Sequence, residues 1–237
     1  MFVKCFIVFK TISKLVYVLK YTFKKTFTMR KLTDTQIDSS LNHKQAMDNA
    51  YRDYISRLAK ESKDVVFINS SAQHAAIVLS TIFKNAKDYV KIFAGDLRGD
   101  VSCDAEYKLE LENFLKRKGR LHIILEKYDD KEPINIADII RYYSIPDNNL
   151  IEIKYLPNDL KLQNQANSYF ANIHFCVADD KMFRIETDTQ NYLAQGNFND
   201  KETSDMLLKR FDDIFNNAAA QKIDLSKLVI NQPLNKH

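Results

Sequence analysis

The side chains of this sequence best suited to proton transfer or nucleophilic attack near neutral pH are its five histidines. They are scattered along the chain: His43, His74, His122, His174 and His237. No two stand in an H-x-x-x-H or H-E-x-x-H spacing, so the sequence predicts no metal site, and we expect no bound cofactor. The four glycines cannot form a G-x-G-x-x-G or Walker A motif, which excludes the common nucleotide-binding fingerprints.

The most informative of these histidines is His174, because of the order of residue types around it. An apolar run over residues 173–178 precedes an Asp179-Asp180-Lys181 turn, and a second apolar run follows over residues 182–185. A loop then leads to a long amphipathic pattern over residues 201–219. The sequence therefore predicts a β-hairpin with His174 on its first strand and Asp179 at its turn, followed by a helix.

This order resembles the C-terminal half of a phospholipase D-like module. Members of that family carry an H-x-K-x-x-x-x-D motif on a strand, a tight turn after the Asp, and a second strand that ends in small residues and Asn. With the turns aligned, the family's Asp falls on Asp179, its Lys on His174 and its His on Asn172. The small-residue and Asn positions fall on Glu186, Thr187 and Thr189. The resemblance covers residues 64–219, which is one half-module.

The resemblance implies phosphodiester chemistry, with a departure at its centre. In the family the His is a nucleophile that forms a phospho-enzyme, a second His is the acid, and Lys and Asn bind phosphate. Asn172 cannot act as that nucleophile, which needs a neutral ring nitrogen. A protonated His174 is able to hold a phosphate in place of the Lys, whereas Glu186 adds negative charge where the substrate is negative. The leading hypothesis is thus a degenerate active site that acts by binding or assembly.

Other interpretations of these residues stay open. His174 is also explained as a half-buried strand histidine paired with a neighbour, and Asp179 as a residue that only makes the hairpin turn. The enzymatic alternative is an active phosphodiesterase or nuclease, in which His174 works with a partner such as His74 or His122. Since half-modules of this family usually pair to build one site, the resemblance also implies a homodimer.

A basic cluster is the second candidate for phosphate binding, with nucleic acid or another phosphodiester as its ligand. It consists of Lys116, Arg117, Lys118 and Arg120. The alternative is a solvated helix end whose cations complement the helix dipole. Six of the 35 basic residues are lysines within residues 1–28, which leaves residues 29–237 with 29 basic and 31 acidic side chains. The net charge of +4 therefore does not indicate a strongly basic body of the kind that binds nucleic acid.

Residues 1–28 differ in composition from the rest of the chain. They combine lysines with aromatic and β-branched residues and contain no acid, and their longest charge-free runs are five residues, too short for a membrane span. Plotted as a helix, they place apolar side chains on one lysine-free face, which is typical of a peripheral membrane helix. The alternatives are a packed element, or an extension that precedes a working start at Met29. Three separated cysteines without a C-x-x-C pair favour a reduced, cytoplasmic protein.

The remaining patterns predict an α/β fold, with a mixed β-sheet flanked by helices. We divide the chain into an N-terminal extension over 1–28, an N-terminal helix over 29–62, a phospholipase D-like domain over 63–220 and a weakly structured tail over 221–237. Besides the hairpin, strands are predicted at 65–68, 89–94, 121–125 and 150–155. Helices are predicted at 33–62, 72–85, 104–117 and 136–143, with a capping box from Ser70 to Gln73 and a C-cap at Gly119.

Overall fold

A computed structural model describes residues 34–145, 150–157 and 173–230, with side chains from Ser40 onward. The predictions for residues 1–28, for a start at Met29 and for Asn172 concern positions outside the described residues. The chain divides into two units after Lys44, and the unit that begins at Gln45 contains all the described strands. No helix in the described ranges is both long and apolar enough to span a membrane.

The described strands form one eight-stranded mixed sheet. In chain order they are β1 Phe67–Ser70, β2 Tyr89–Ala94, β3 Arg120–Leu125, β4 Ile151–Tyr155, β5 His174–Ala178, β6 Met182–Asp188, β7 Leu193–Asn197 and β8 Gln221–Lys222. Their order across the sheet is β1-β7-β6-β5-β2-β3-β4-β8. Strands β2, β3 and β4 are parallel neighbours, and the other neighbouring pairs are antiparallel. The mixed α/β architecture predicted from the sequence is therefore confirmed.

Helices pack on the sheet through two separate apolar cores. The described helices are α1 Asp34–Lys60, α2 Ala72–Asn85, α3 Asp100–Cys103, α4 Ala105–Lys116, α5 Ala137–Ser144 and α6 Lys201–Phe215. Buried side chains of α1, α2, α4 and α5 belong to one core, and those of α6 belong to the other. Consecutive residues of β2 show why two cores exist, because Ile92 lies in the first and Phe93 in the second.

The first strand is shifted and more exposed than its apolar run indicates. The sequence predicts a buried strand at 65–68, whereas β1 spans Phe67–Ser70 and lies at the edge of the sheet, where its strand partner is β7. Phe67 and Asn69 are buried, but Ile68 is 64% exposed. An edge strand with one covered face needs buried side chains only at alternate positions, so a continuous apolar run overstates its burial.

Two helix ends differ from the predicted caps. The N-cap of α2 is Ser71, whose hydroxyl accepts the amide N–H of His74 at 3.1 Å, so the cap lies one residue after Ser70. At the end of α4 the residue in the left-handed region is Lys118, with a φ of 66°. Gly119 is required for another reason, because a Cβ at this position would lie 2.2 Å from the Phe114 ring.

The sequence does not predict strands β7 and β8 or the short helix α3. Strand β7 has the sequence LAQGN, without β-branched residues, and a Cβ at its Gly196 would lie 2.5 Å from the Phe67 ring. Strand β8 pairs with β4 and extends the sheet. Ile223 and Leu228 follow β8 and are buried, so the first part of the predicted tail packs into the folded domain.

Candidate functional site

His174 lies where β5 begins, beside the carboxyl end of the parallel strand β2. The pairing of β5 with β2 places Phe175 opposite Phe93, and Gly95 follows β2 directly. A Cβ at Gly95 would lie 3.3 Å from Cε1 of His174, so the glycine leaves room for the imidazole. The carboxyl ends of parallel strands are the usual place for ligand sites in α/β sheets, which makes this edge the natural candidate.

The imidazole faces a cavity of about 210 Å³. Its walls include apolar residues such as Leu79, Phe93 and Val101, and its polar side chains include His174, Glu186 and Arg184. The cavity is smaller than the usual pocket for a drug-sized ligand, so its polar groups lie close to one another.

Both ring nitrogens of His174 contact carboxylates. Nε2 lies 3.1 Å from Oε2 of Glu126, which follows β3, and Nδ1 lies 3.4 Å from Oε2 of Glu186 on β6. Burial opposes protonation of the imidazole, but the hydrogen bonds and charges of Glu126 and Glu186 outweigh it and raise the pKa of His174 to about 9. His174 is therefore an imidazolium at neutral pH, with each N–H directed at a carboxylate.

A second buried cation holds Glu186 in place. Nη2 of Arg184 donates to Oε1 of Glu186 at 3.0 Å, and Nε of Arg184 donates to Oδ1 of Asn69 at 3.1 Å. Asn69 in turn donates to the carbonyl of Tyr192 at 2.8 Å. Burial disfavours the ionised form of Glu186, yet the contacts with His174 and Arg184 lower its pKa below its ordinary value. The network thus pairs two cations with two carboxylates.

This arrangement limits the chemistry of His174. A nucleophilic imidazole needs an unprotonated nitrogen aimed at phosphorus, and neither nitrogen of His174 is available for that role. A phosphate ligand needs net positive charge, whereas the charges of the His174 network cancel. The geometry therefore favours a structural or binding role for this edge of the sheet.

Sequence reasoning placed His174 and Glu186 but not their partners Glu126, Arg184 and Asn69. A signal for Arg184 was present, because it stands two residues before Glu186 and so shares one face of β6 with it. Glu126 carries no local signal, since it is 48 residues from His174.

The two histidines predicted as partners of His174 lie elsewhere. Nε2 of His74 lies 3.1 Å from Oδ1 of Asp48, and its ring stacks on Tyr51 at a centroid distance of 4.0 Å. His122 stacks on Phe215 of α6 at 4.9 Å, and burial, with nearby Lys91, lowers its pKa. Among the residues described around the cavity, His174 is the sole histidine.

Asp179 lies at the opposite end of β5 from His174, about 16 Å away at 3.3 Å per strand residue. Its carboxylate accepts the backbone N–H groups of Lys87, Asp88 and Tyr89 at 2.6, 3.0 and 3.2 Å. The residue adopts a φ of 47°, which a hairpin turn requires and Asp tolerates. Asp179 therefore ties the hairpin to the start of β2, and it does not share a site with His174.

The predicted phosphate-binding cluster also lies at that far end, around the start of β3. Arg117 donates to the carbonyl of Phe83 at 2.9 Å and reaches those of Lys84 and Ala86, so it caps the end of α2. Lys116 lies 3.4 Å from Glu112 one helical turn earlier. Lys118 and Arg120 are exposed, and neither forms an ion pair with another of the described residues. The cluster and His174 are thus two separate regions.

Comparisons with known proteins show a likeness in fold only. No family model matches the sequence, and no curated protein matches it either. Among solved structures, it resembles Nuc from Salmonella typhimurium, a phospholipase D family member, at 14% identity and a TM-score of 0.47 over 67% of this chain and 97% of that one.

Two further solved structures are similar in the same way. NucT from Helicobacter pylori matches at 13% identity and a TM-score of 0.47, over 68% of this chain and 99% of that one. The archaeal chromatin protein TrmBL2 matches at 12% identity and a TM-score of 0.46, over 80% of this chain and 66% of that one. A phospholipase D family member is therefore among the structures that this chain resembles, as the sequence predicted. The resemblance carries no residue's role to this chain.

Proposed function

We propose that this chain is a phospholipase D-like protein with a degenerate active site, which acts by binding or assembly and does not transfer phosphoryl groups. The observation that carries the proposal is the position of His174 between Glu126 and Glu186, with a carboxylate at each ring nitrogen. The remaining candidate of the motif, Asn172, has an amide side chain and cannot form a phospho-enzyme.

The protonation state of His174 supports the same conclusion. A general acid or base works best when its pKa lies near the working pH, and the pKa of His174 is raised to about 9. At neutral pH the ring is already protonated and therefore cannot act as a base. It is also a poor proton donor, because Glu126 and Glu186 favour its protonated form.

The charge balance of the cavity also disfavours catalysis on a phosphodiester. Arg184 and His174 are the cations of the network, and Glu186 contacts both of them. A phosphate that entered would have to displace a buried carboxylate from a charge-assisted hydrogen bond, which costs about 2–3 kcal/mol before any new contact forms.

Hydrolysis of bis(p-nitrophenyl) phosphate by the full chain tests the proposal. We expect the wild type and His174→Ala to release p-nitrophenol at the same rate as buffer. The matched control is His74→Ala, which removes another half-buried histidine that contacts a carboxylate. Turnover by the wild type and by His74→Ala that disappears in His174→Ala would contradict the proposal and establish the active phosphodiesterase instead.

The proposal includes a homodimer, as the resemblance to a half-module implies, with nucleic acid or another phosphodiester as a candidate ligand. Light scattering coupled to gel filtration tests the dimer, and a monomeric mass at micromolar concentration contradicts it. A cytoplasmic protein with peripheral membrane contact through residues 1–28 remains a prediction. Vesicle sedimentation that persists after deletion of residues 1–28 would refute that contact.

A further inference from the structure

A groove at the far end of the sheet combines exposed aromatic and basic side chains. We name it the Tyr142 groove, and it is lined by Leu115, Lys116, Lys118, Tyr142, Tyr143 and Ile145. It lies between the end of α4 and the end of α5, near the start of β3. This is the opposite end of the sheet from His174, so the groove is independent of the cavity beside that residue.

The apolar side chains of the groove are more exposed than a folded domain needs. Tyr142 is 70% exposed and Ile145 is 75% exposed, the highest values among the large apolar residues described. The rings of Tyr142 and Tyr143 form a T-shaped pair, at a centroid distance of 4.9 Å and an interplanar angle of 77°. A T-shaped contact covers at most one face of a ring, and Tyr142 is largely exposed, so its ring can serve as a platform for a stacked base.

The charges around Tyr142 are arranged by side. The Tyr142 groove contains Lys116 and Lys118 and no acid. The neighbouring groove on α4 and α5 shares Lys116 and Tyr142 with it and adds the acids Glu112 and Asp138. An anionic chain is therefore favoured on the Lys118 side of Tyr142 and disfavoured on the side of Glu112 and Asp138. The charge pattern therefore predicts on which side of Tyr142 an anionic ligand binds, whereas a purely apolar patch would make no such prediction.

We propose that the Tyr142 groove binds single-stranded nucleic acid, with a base stacked on Tyr142 and backbone phosphates at Lys116 and Lys118. Exposed aromatic faces beside cations are the combination that binds unpaired strands without reading their sequence. A duplex buries its bases, so it gains the phosphate contacts but not the stacking contact. The inference rests on the proposed function in so far as it names the ligand of a protein that acts by binding.

Fluorescence anisotropy with a labelled oligothymidine of about 12 nucleotides, a length within the range of known single-strand sites, tests the proposal. We expect Tyr142→Ala to weaken binding about 5- to 150-fold, the range measured for loss of one stacked base, without changing the salt dependence. Lys118→Gln should instead lower the slope of log K against log salt by about 0.7, the contribution of one phosphate on a single strand.

Two controls separate the groove from the rest of the chain. Lys209→Gln removes an exposed lysine from α6, which packs on the other core of the sheet, and should leave both affinity and slope unchanged. Glu112→Gln removes the acid that pairs with Lys116 and should tighten binding. All variants keep the lysines of residues 1–28, so the contribution of that segment is the same throughout.

The possible results are distinct. Equal affinities for wild type and Tyr142→Ala, or no binding at all, would contradict nucleic-acid binding at the Tyr142 groove. Neither result would bear on the proposal of a degenerate active site. A change of oligomeric mass in Tyr142→Ala, with binding unaltered, shows a protein interface and also overturns it. If the wild type cleaves the oligonucleotide and His174→Ala does not, the proposed degenerate site is contradicted, whereas binding at the Tyr142 groove is not.

Discussion

The raised pKa of His174 makes the stability of the fold depend on pH in a specific way. Its folded-state pKa of about 9 lies above its ordinary value of 6.5, so protonation of His174 stabilises the folded state. That stabilisation is complete below about pH 6.5 and is lost as the pH rises through about 9. The test is therefore to measure the free energy of unfolding from about pH 6 to about pH 10, for the wild type and for His174→Asn.

The size of the effect follows from linkage. A pKa that rises from 6.5 to about 9 corresponds to about 3 kcal/mol of unfolding free energy. The His174 side chain is 21% exposed and each of its ring nitrogens contacts a carboxylate, so solvent screening reduces this figure little. An effect of this size is a large fraction of the 5–15 kcal/mol that is typical of a folded domain.

Urea denaturation followed by circular dichroism measures the effect at each pH. The free energy of unfolding of the wild type, relative to His174→Asn, should fall by about 3 kcal/mol between about pH 6 and pH 10. Other titrating groups are the same in both proteins and cancel in the difference. If the two curves run parallel to within about 1 kcal/mol, the pKa of His174 is ordinary, and our reasoning about the site is refuted.

Three substitutions, one of them with a matched control, test other contacts by the same urea assay. Gly119→Ala places a Cβ 2.2 Å from the Phe114 ring and should cost about 1–3 kcal/mol, whereas Gly99→Ala, where the nearest atom is 4.0 Å away, should cost less than about 1 kcal/mol. Asp179→Ala removes the acceptor of three backbone N–H groups and should cost about 2 kcal/mol; an unchanged midpoint would contradict its role at the turn. Arg117→Met should cost about 1–2 kcal/mol by uncapping α2, and full stability in this variant would show that the cap is dispensable.

The parallel core of the sheet could be predicted because its residues carry the pattern by themselves. Strands β2, β3 and β4 are short runs rich in apolar residues, each of which follows a helix, and each was predicted to within a residue. Strand β7 could not be predicted from LAQGN, because its place depends on the close approach of Phe67 to Gly196. A contact between residues so far apart in sequence leaves no periodic signal within either segment.

Some residues of the candidate site could likewise be predicted from the sequence, whereas others are brought together only by the fold. His174 stood out because a strand, a turn and a second strand are readable along the chain. Glu126, which helps to raise the pKa of His174, and Arg184, which pairs with Glu186, join the site only when β3 and β6 take their places in the sheet. Asp179 was placed at a turn correctly, but its three backbone donors lie about 90 residues away and became visible only in the fold.

In the proposed degenerate site, His174 is a protonated structural residue and not a nucleophile. Nitrogen-15 NMR of its ring at neutral pH tests this most directly, with the signals assigned by their loss in His174→Asn. We expect both Nδ1 and Nε2 to carry a proton, as in an imidazolium between Glu126 and Glu186. A ring with one unprotonated nitrogen at neutral pH would contradict it, since that nitrogen would be free to attack phosphorus.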